Sequence, residues 1–187
     1  ARAGGALMVG VALVSAITVI AATAKAWTRD VVSEQFQGDF VIEAGGIALG
    51  GLSPEVARQL NGLAEVRAAT GIRAGSADDR TGGGSISYLA VDPATAGEVF
   101  DLGMVAGSVP ELTADGILLQ EGEARARRLS MGDTIELGFL NGKTREVEVQ
   151  GLYREDDLAG DYVVSHALHE TTGADQFDFT VFVARAP

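Results

Sequence analysis

Two histidines form the only cluster in the chain that resembles a metal site. His166 and His169 stand three residues apart, and Glu170 follows the second of them. A zinc-protease helix instead spaces its histidines four apart with the glutamate between them, which places both rings on one helix face. The pattern differs on both counts. The sequence therefore favours solvated helix residues over a metal centre.

Acidic side chains form the second group with possible chemistry. Asp156, Asp157 and Asp161 surround a glycine, yet they lack the alternate-residue spacing and closing glutamate of an EF-hand calcium loop. Asp78 and Asp79 are adjacent in a polar stretch, without the desolvated surroundings that raise the pKa of a catalytic acid. We expect both groups to lie in hydrated loops and to hold no metal.

Motifs for nucleophilic or nucleotide chemistry are missing from the sequence. The glycines at 82–84 are not followed by the Lys-Ser or Lys-Thr of a P-loop, and there is no G-x-S-x-G elbow. The chain has no cysteine, which excludes disulfides, thiolate metal sites and cysteine nucleophiles. Arg125, Arg127 and Arg128 are expected on the solvated side of a helix, with contact to a partner or lipid head group as the alternative. We predict no catalytic, cofactor-binding or metal-binding residue and no enzyme.

Composition limits the class of protein further. The 187 residues are 47% hydrophobic, which is enough for a packed core, so the chain is not disordered. The net charge of −12 opposes nucleic-acid binding, which needs a basic face to neutralise phosphates. Residues 31–187 contain 25 acidic and 11 basic side chains, a balance that fits a solvated domain repelled by anionic lipid.

The first thirty residues differ from the rest. Residues 3–24 carry no charge and, as a helix, would span roughly 33 Å, close to the hydrocarbon thickness of a bilayer. Lys25, Trp27 and Arg29 follow, and tryptophan is typical of the membrane interface. A signal peptide cleaved after Ala24 or Ala26 is the alternative, but the apolar run is long for one. We expect a transmembrane helix and stalk start at 1–28, a cell-membrane location, and an extracytoplasmic chain beyond about residue 28.

The remaining sequence predicts a mixed α+β domain rich in short strands. Ser53, Pro54 and Glu55 predict a helix start, and Asn141-Gly142 between alternating strands predicts a type I′ hairpin with a bulge near Gly151. Strands are predicted at 39–44, 65–72, 85–91, 116–120, 133–140, 143–153, 161–165 and 178–184. Helices are predicted at 54–60, 92–100, 121–129 and 165–172, and glycine-rich loops at 45–51 and 74–84.

These elements suggest two strand–helix–strand (βαβ-like) units with a β-rich block inserted between them. The order of features resembles the extracytoplasmic core domain of MacB/FtsX/LolC-type ABC transporter permeases. The passages that carry the resemblance are the apolar helix running into 30–42, then 51–73, 91–112, and 115–137 followed by a hairpin and 147–153. Within the fourth, the residues from Gly132 to Leu137 match the family's G-D-x-[IV]-x-L pattern.

The resemblance implies a porter-like subdomain at 29–75 plus 159–187 and an inserted sabre-like β-rich subdomain at 76–158. It also implies a permease without ATPase activity of its own, paired as a dimer and driven by a separate or fused cytoplasmic ATPase. Membrane lipid and an extracytoplasmic protein or lipidic substrate are the other implied partners. Members of the family continue beyond the last strand, so we expect the second βαβ-like unit to be incomplete here.

The segment from Thr28 to Gln37 contains neither proline nor glycine. It therefore predicts a continuous helical stalk that transmits tilt of the membrane helix into the first strand. The alternative function is a secreted or membrane-anchored binding module without a transport role, which cleavage after Ala24 or Ala26 would favour.

Overall fold

The structure, a computed structural model, describes residues 36–43, 51–82, 84–155 and 157–187. The predicted membrane helix, residues 44–50 of the glycine-rich stretch and the stalk up to residue 35 lie outside these ranges. No helix within the described ranges is long and apolar enough to cross a membrane. The fold is α+β and rich in strands, as the sequence predicts.

Nine strands and four short α-helices make up the described fold. The strands are β1 (Phe40–Glu43), β2 (Val66–Asp79), β3 (Gly84–Val91), β4 (Met104–Ala106), β5 (Gly116–Gln120), β6 (Thr134–Gly138), β7 (Thr144–Tyr153), β8 (Tyr162–Ser165) and β9 (Thr180–Arg185). The helices are α1 (Glu55–Leu60), α2 (Pro93–Ala96), α3 (Glu121–Arg127) and α4 (His166–His169), and a 3-10 turn covers Val109–Glu111.

Six of the strands close into a ring. Their order is β2–β3–β8–β5–β7–β6, and β6 pairs back onto the end of β2 at Asp78 and Asp79. The pairs β3–β8 and β5–β7 are parallel, and the other pairs in the ring are antiparallel. Alternate side chains fill the interior, with Ile117, Ile135, Leu137, Val147 and Val149 fully buried. The ring is thus a small barrel with a packed apolar core.

The strand β2 extends beyond this barrel and joins it to a second set of strands. Its first half, up to Ile72, pairs with β9, and its second half, from Arg73, pairs with β3. Outside β9 lies β1, antiparallel to it, at one end of the strand order. The helix α1 packs its apolar side on one face of β1, β9 and β2. On the other face, the rings of Phe36 and Phe100 contact Phe182 at 5.1 and 4.9 Å between centroids.

The strand β2 runs as far as Asp79, and β3 begins at Gly84. The predicted loop at 74–84 is therefore wrong for 74–79, which is strand paired with β3. Ala77 and Asp79 point into the barrel whereas Ser76 and Asp78 are exposed. Adjacent aspartates and small residues hide this alternation, because both are depleted in strands.

The β6–β7 hairpin is confirmed, but its turn is not type I′. The Phe139 carbonyl accepts from Gly142 N–H at 2.9 Å, and Phe139 N–H donates to the Lys143 carbonyl at 2.9 Å. Gly142 has φ of 77° whereas Asn141 keeps a negative φ, which defines a three-residue type I turn with a glycine bulge. The Asn141 side chain donates to the Thr171 carbonyl at 2.8 Å. The type I turn therefore occurs together with a contact between Asn141 and a distant residue, whereas the local Asn-Gly pattern predicts a type I′ turn.

Other local predictions are largely confirmed. The helix α1 ends at Leu60, and the Ser53 hydroxyl accepts from Glu55 N–H at its start. The predicted bulge is present, since Ile117 faces Val149 whereas Leu118 faces Gly151. The helix predicted at 92–100 ends earlier, at Ala96. The stalk prediction is wrong at Phe36, which forms a bridge with Phe100, and at Gln37, which donates to the Val99 carbonyl.

Candidate interaction surface and buried polar networks

Both histidines make hydrogen bonds within the fold, and the prediction that they are solvated is wrong for His169, which is buried, whereas His166 is half-buried. His166 Nε2 lies 3.0 Å from the Gly71 carbonyl, and His169 Nε2 lies 2.9 Å from the Asp175 carbonyl. Because carbonyl oxygens only accept, each Nε2 donates. His169 is fully buried and its Nδ1 lies 3.3 Å from the Tyr88 hydroxyl. Burial lowers the pKa of both imidazoles, so they are neutral hydrogen-bonding groups near pH 7.

The candidate metal clusters do not assemble in the described parts of the chain. No three His, Asp or Glu side chains there are grouped closely enough to hold a metal ion. Asp157 is exposed, and the backbone carbonyl of Asp161 accepts from Gln120 N–H at 2.9 Å. Asp156 lies outside the described residues. The chemistry of this region is therefore that of a turn next to β8.

The arginine cluster on α3 divides between solvent and core. Arg125 is exposed and pairs with Glu121 at 2.8 Å. Arg127 is only 13% exposed and binds the buried carboxylate of Asp79 and the hydroxyl of Tyr162. The predictions of a solvated Arg127 and a hydrated Asp79 are therefore wrong. The Arg127–Asp79 pair connects α3 to the C-terminal end of β2. Its partners are 48 residues apart in sequence, so no helix or strand periodicity could predict it.

Tyr162 extends the same network into the barrel wall. Its hydroxyl donates to Glu123 and accepts from Arg127 at 3.0 Å. Burial and the hydrogen bond to Glu123 raise the pKa of Tyr162 to about 12. The phenol is thus held in its protonated form, as a fixed link between β8 and α3.

A second buried ion pair lies where β2 changes partners. Arg73 Nε donates to Asp178 Oδ1 at 2.9 Å, and its Nη1 donates to Gln176 Oε1 at 3.1 Å. Both Arg73 and Asp178 are at most 5% exposed. Gly71 makes room for this pair, because a Cβ there would overlap the Asp178 carboxylate. The sequence does not predict this pair, because its partners are 105 residues apart. The one feature that hints at a buried ion pair is the charge of Arg73 directly after the apolar Ile72, which is buried.

Asn61 closes the edge of β2 that faces away from β9. Its side-chain amide donates to the Ala69 carbonyl and its Oδ1 accepts from Ala69 N–H, both at 2.7 Å. The amide therefore substitutes for a neighbouring strand at this position. Next to it lies a polar cavity of about 340 Å³, lined by residues that include Asn61, Thr70 and His166. The buried Thr70 hydroxyl has no hydrogen-bond partner among the described residues.

The start of β1 and the end of β9 form a corner of the fold with apolar side chains in solvent. Asp39 N–H donates to the Val183 carbonyl at 2.8 Å, and Arg185 N–H donates to Asp39 Oδ2 at 2.7 Å. Phe40 and Leu63 here are 58% and 51% exposed. We call the set of Asp39, Phe40, Leu63, Glu65 and Arg185 the β1–β9 corner.

No protein-family model matches the sequence, and no curated protein is significantly similar to it. Solved structures do share the architecture. The periplasmic region of MacB from Actinobacillus actinomycetemcomitans superposes with a TM-score of 0.56 at 15% identity, over 78% of this chain and 73% of that chain. The extracellular domain of the noncanonic ABC-type transporter YknZ from Gram-positive bacteria gives 0.56 at 16% identity, over 79% and 82%.

The chain has a MacB-like fold. The resemblance that the ordered sequence motifs carry is therefore confirmed in three dimensions, over most of the chain and of both relatives. At these identities the MacB-like fold is conserved while side chains at individual positions are not expected to be.

Proposed function

We propose that this chain is the extracytoplasmic domain of an ABC transporter permease subunit. In this proposal the helix at 3–24 anchors it in the cell membrane, and everything after about residue 28 lies outside. A cytoplasmic ATPase, separate from this chain or fused to the permease, supplies the energy. The MacB-like fold supports the proposal, since both solved relatives are the outer domains of such transporters.

The fold shared with the MacB and YknZ outer domains is the observation that carries the proposal. The point where the chain enters this fold is tied to β9, since Asp39, just before β1, bonds to both Val183 and Arg185 near the end of β9. The strand that follows the predicted membrane helix is thereby joined directly to the sheet.

The same connectivity suggests how motion would pass outward. A displacement of β1 acts on β9 through four residue pairs, and β9 is paired with the first half of β2. Because β2 continues into the barrel as one strand, it would carry the displacement there as a rigid element. We propose that 29–75 plus 159–187 form the porter-like part and 76–158 the sabre-like part, with β2 crossing the boundary. The change of partner between Ile72 and Arg73 supports the boundary within β2. The strands of the predicted second βαβ-like unit separate, however, because β8 lies in the barrel between β3 and β5 whereas β9 lies between β1 and β2.

The transported material and the outer partners belong to the same proposal. Export, extraction of lipid or lipoprotein, and mechanical control of an outer protein are all compatible with it, as is a permease dimer. A groove of about 530 Å³ beside Tyr88, Leu89, Leu140 and Leu158 favours the alternative of a binding module without a transport role. Its lining is mostly apolar, which suits an apolar ligand.

Topology and association test the proposal together. The chain has no cysteine, so Leu140→Cys and Arg2→Cys each place one reporter on it. On intact cells we expect an impermeant maleimide to label position 140, which is 74% exposed, and to label position 2 only after lysis. The full-length parent, solubilised in mild detergent, should copurify with an ATPase subunit. A cleaved, soluble extracellular product without an ATPase would establish the binding module instead.

A further inference from the structure

We propose that the β1–β9 corner rests on the outer surface of the bilayer, with Phe40 and Leu63 inserted at the level of the lipid head groups. The inference depends on the proposed function, because the helix at 3–24 must hold the chain at the membrane. It adds a second attachment of the domain to the lipid, made by side chains of the folded part.

The two side chains lie at one end and on one face of the sheet. Phe40 faces Val183 across the β1–β9 pair, and Val183 is buried on the face that α1 covers. Leu63 lies in the turn between α1 and β2, where its carbonyl accepts from Val66 N–H, and Val66 is paired with Arg185 at the end of β9. More than half of each side chain is exposed. An apolar pair is thus presented to solvent beside the point where the chain enters the described fold.

The covalent chain brings this corner close to the lipid. Trp27 is predicted at the membrane interface, and Phe36 is nine residues further on. Nine residues span at most about 32 Å even when fully extended, so the linkage limits Phe36 to this distance from Trp27. Phe40 follows within four residues. The outer surface of the membrane is therefore an apolar environment that the chain's connection to the predicted helix keeps within reach of Phe40 and Leu63.

The residue types at the corner suit an interface. Aromatic and aliphatic side chains insert at head-group depth when polar and basic groups surround them. Within the corner, Asp39 and Glu65 outnumber Arg185 by one charge. Neutral head groups, which do not repel this small negative excess, are therefore the lipid that suits the corner. The rings of Phe177 and Phe179 are also exposed, but they lie just before the start of β9, at the end of that strand opposite to the corner.

The single tryptophan of the chain makes the inference measurable. The whole chain is reconstituted into phosphatidylcholine vesicles with ordinary or brominated acyl chains, and tryptophan quenching by bromine reports lipid contact. The unaltered chain reports on Trp27. In a Trp27→Phe background, Phe40→Trp and Leu63→Trp report on the corner. Leu140→Trp in the same background is the matched control, because the hairpin turn packs against Thr171 and Thr172 and not at the corner.

We expect brominated lipid to reduce the fluorescence of Trp27, of Phe40→Trp and of Leu63→Trp by about half, because side chains at the membrane interface lie at the boundary between head groups and acyl chains. Leu140→Trp should be unaffected. Quenching of Trp27 with neither corner variant quenched overturns this inference and leaves the anchored domain intact. An unquenched Trp27 overturns the proposed anchor as well. Two corner variants guard against misfolding of one, and circular dichroism of each checks the fold.

Discussion

The charge of Asp178 stabilises the described fold because its partner Arg73 is buried with it. In Asp178→Asn the guanidinium of buried Arg73 keeps its charge but retains only the 3.5 Å contact with the exposed carboxylate of Glu170. Breaking a buried pair on one side costs about 3–5 kcal/mol. Urea unfolding should show this loss. Glu98→Gln is the matched control, since Glu98 pairs with Arg67 at 3.5 Å in solvent and its loss should cost under about 1 kcal/mol. Equal stability of the two variants would contradict the prediction.

Tyr162 gives the fold an alkaline limit. Its pKa is raised from 10.0 to about 12 in the folded state, so above pH 10 the unfolded chain releases the phenolic proton before the folded chain does. Folding stability should therefore be intact below pH 10 and fall from pH 10 to pH 12. Tyr162→Phe should flatten this fall while lowering stability at neutral pH, where its two hydrogen bonds are lost. An unchanged slope in unfolding titrations would refute the assignment.

At the scale of elements, the hairpin turn offers a test of backbone geometry. Leu140 occupies the second position of a type I turn, where proline is favoured, and no described hydrogen bond uses its N–H. Leu140→Pro should leave the free energy of unfolding within about 0.5 kcal/mol of the parent chain or raise it. In a two-residue type I′ turn the same position would be a paired strand residue, and proline would cost about 3 kcal/mol.

Elements with local signals were predictable, whereas their pairing was not. Pro54 and Glu55 identify the start of α1, and alternating valines identify β7, because each depends on neighbours within a few residues. The closure of β6 onto β2 and the pair of Arg73 with Asp178 join distant segments, which no local period encodes. The strand at 74–79 was missed for the same reason, since only its pairing with β3 outweighs the weak strand preference of Asp78 and Asp79.

At the scale of the whole molecule, β2 should make the described fold unfold as one unit. The barrel and the β1–β9 pair share this strand, so neither can lose it alone. Hydrogen exchange should give equal opening free energies for buried amides of β7 and β9. A much smaller value for β9 would instead mean that the outer strands open independently, and would favour a flexible joint at the proposed boundary near residue 75.

Barrel closure also governs how copies of the chain meet one another. A strand with an unpaired edge is a template for addition of a strand from another molecule. The ring pairs each of its six strands with a neighbour on both sides, although β3 meets β8 only over Leu89–Val91. Asn61 occupies the open edge of β2 at Ala69. At the two ends of the described strand order, the outer edges belong to β1, which has four residues from Phe40 to Glu43, and to β4, which has three. Short edges offer little template for an added strand, and Asp39 and Glu43 place charge at both ends of β1. Edge-to-edge pairing between copies of the chain is therefore disfavoured.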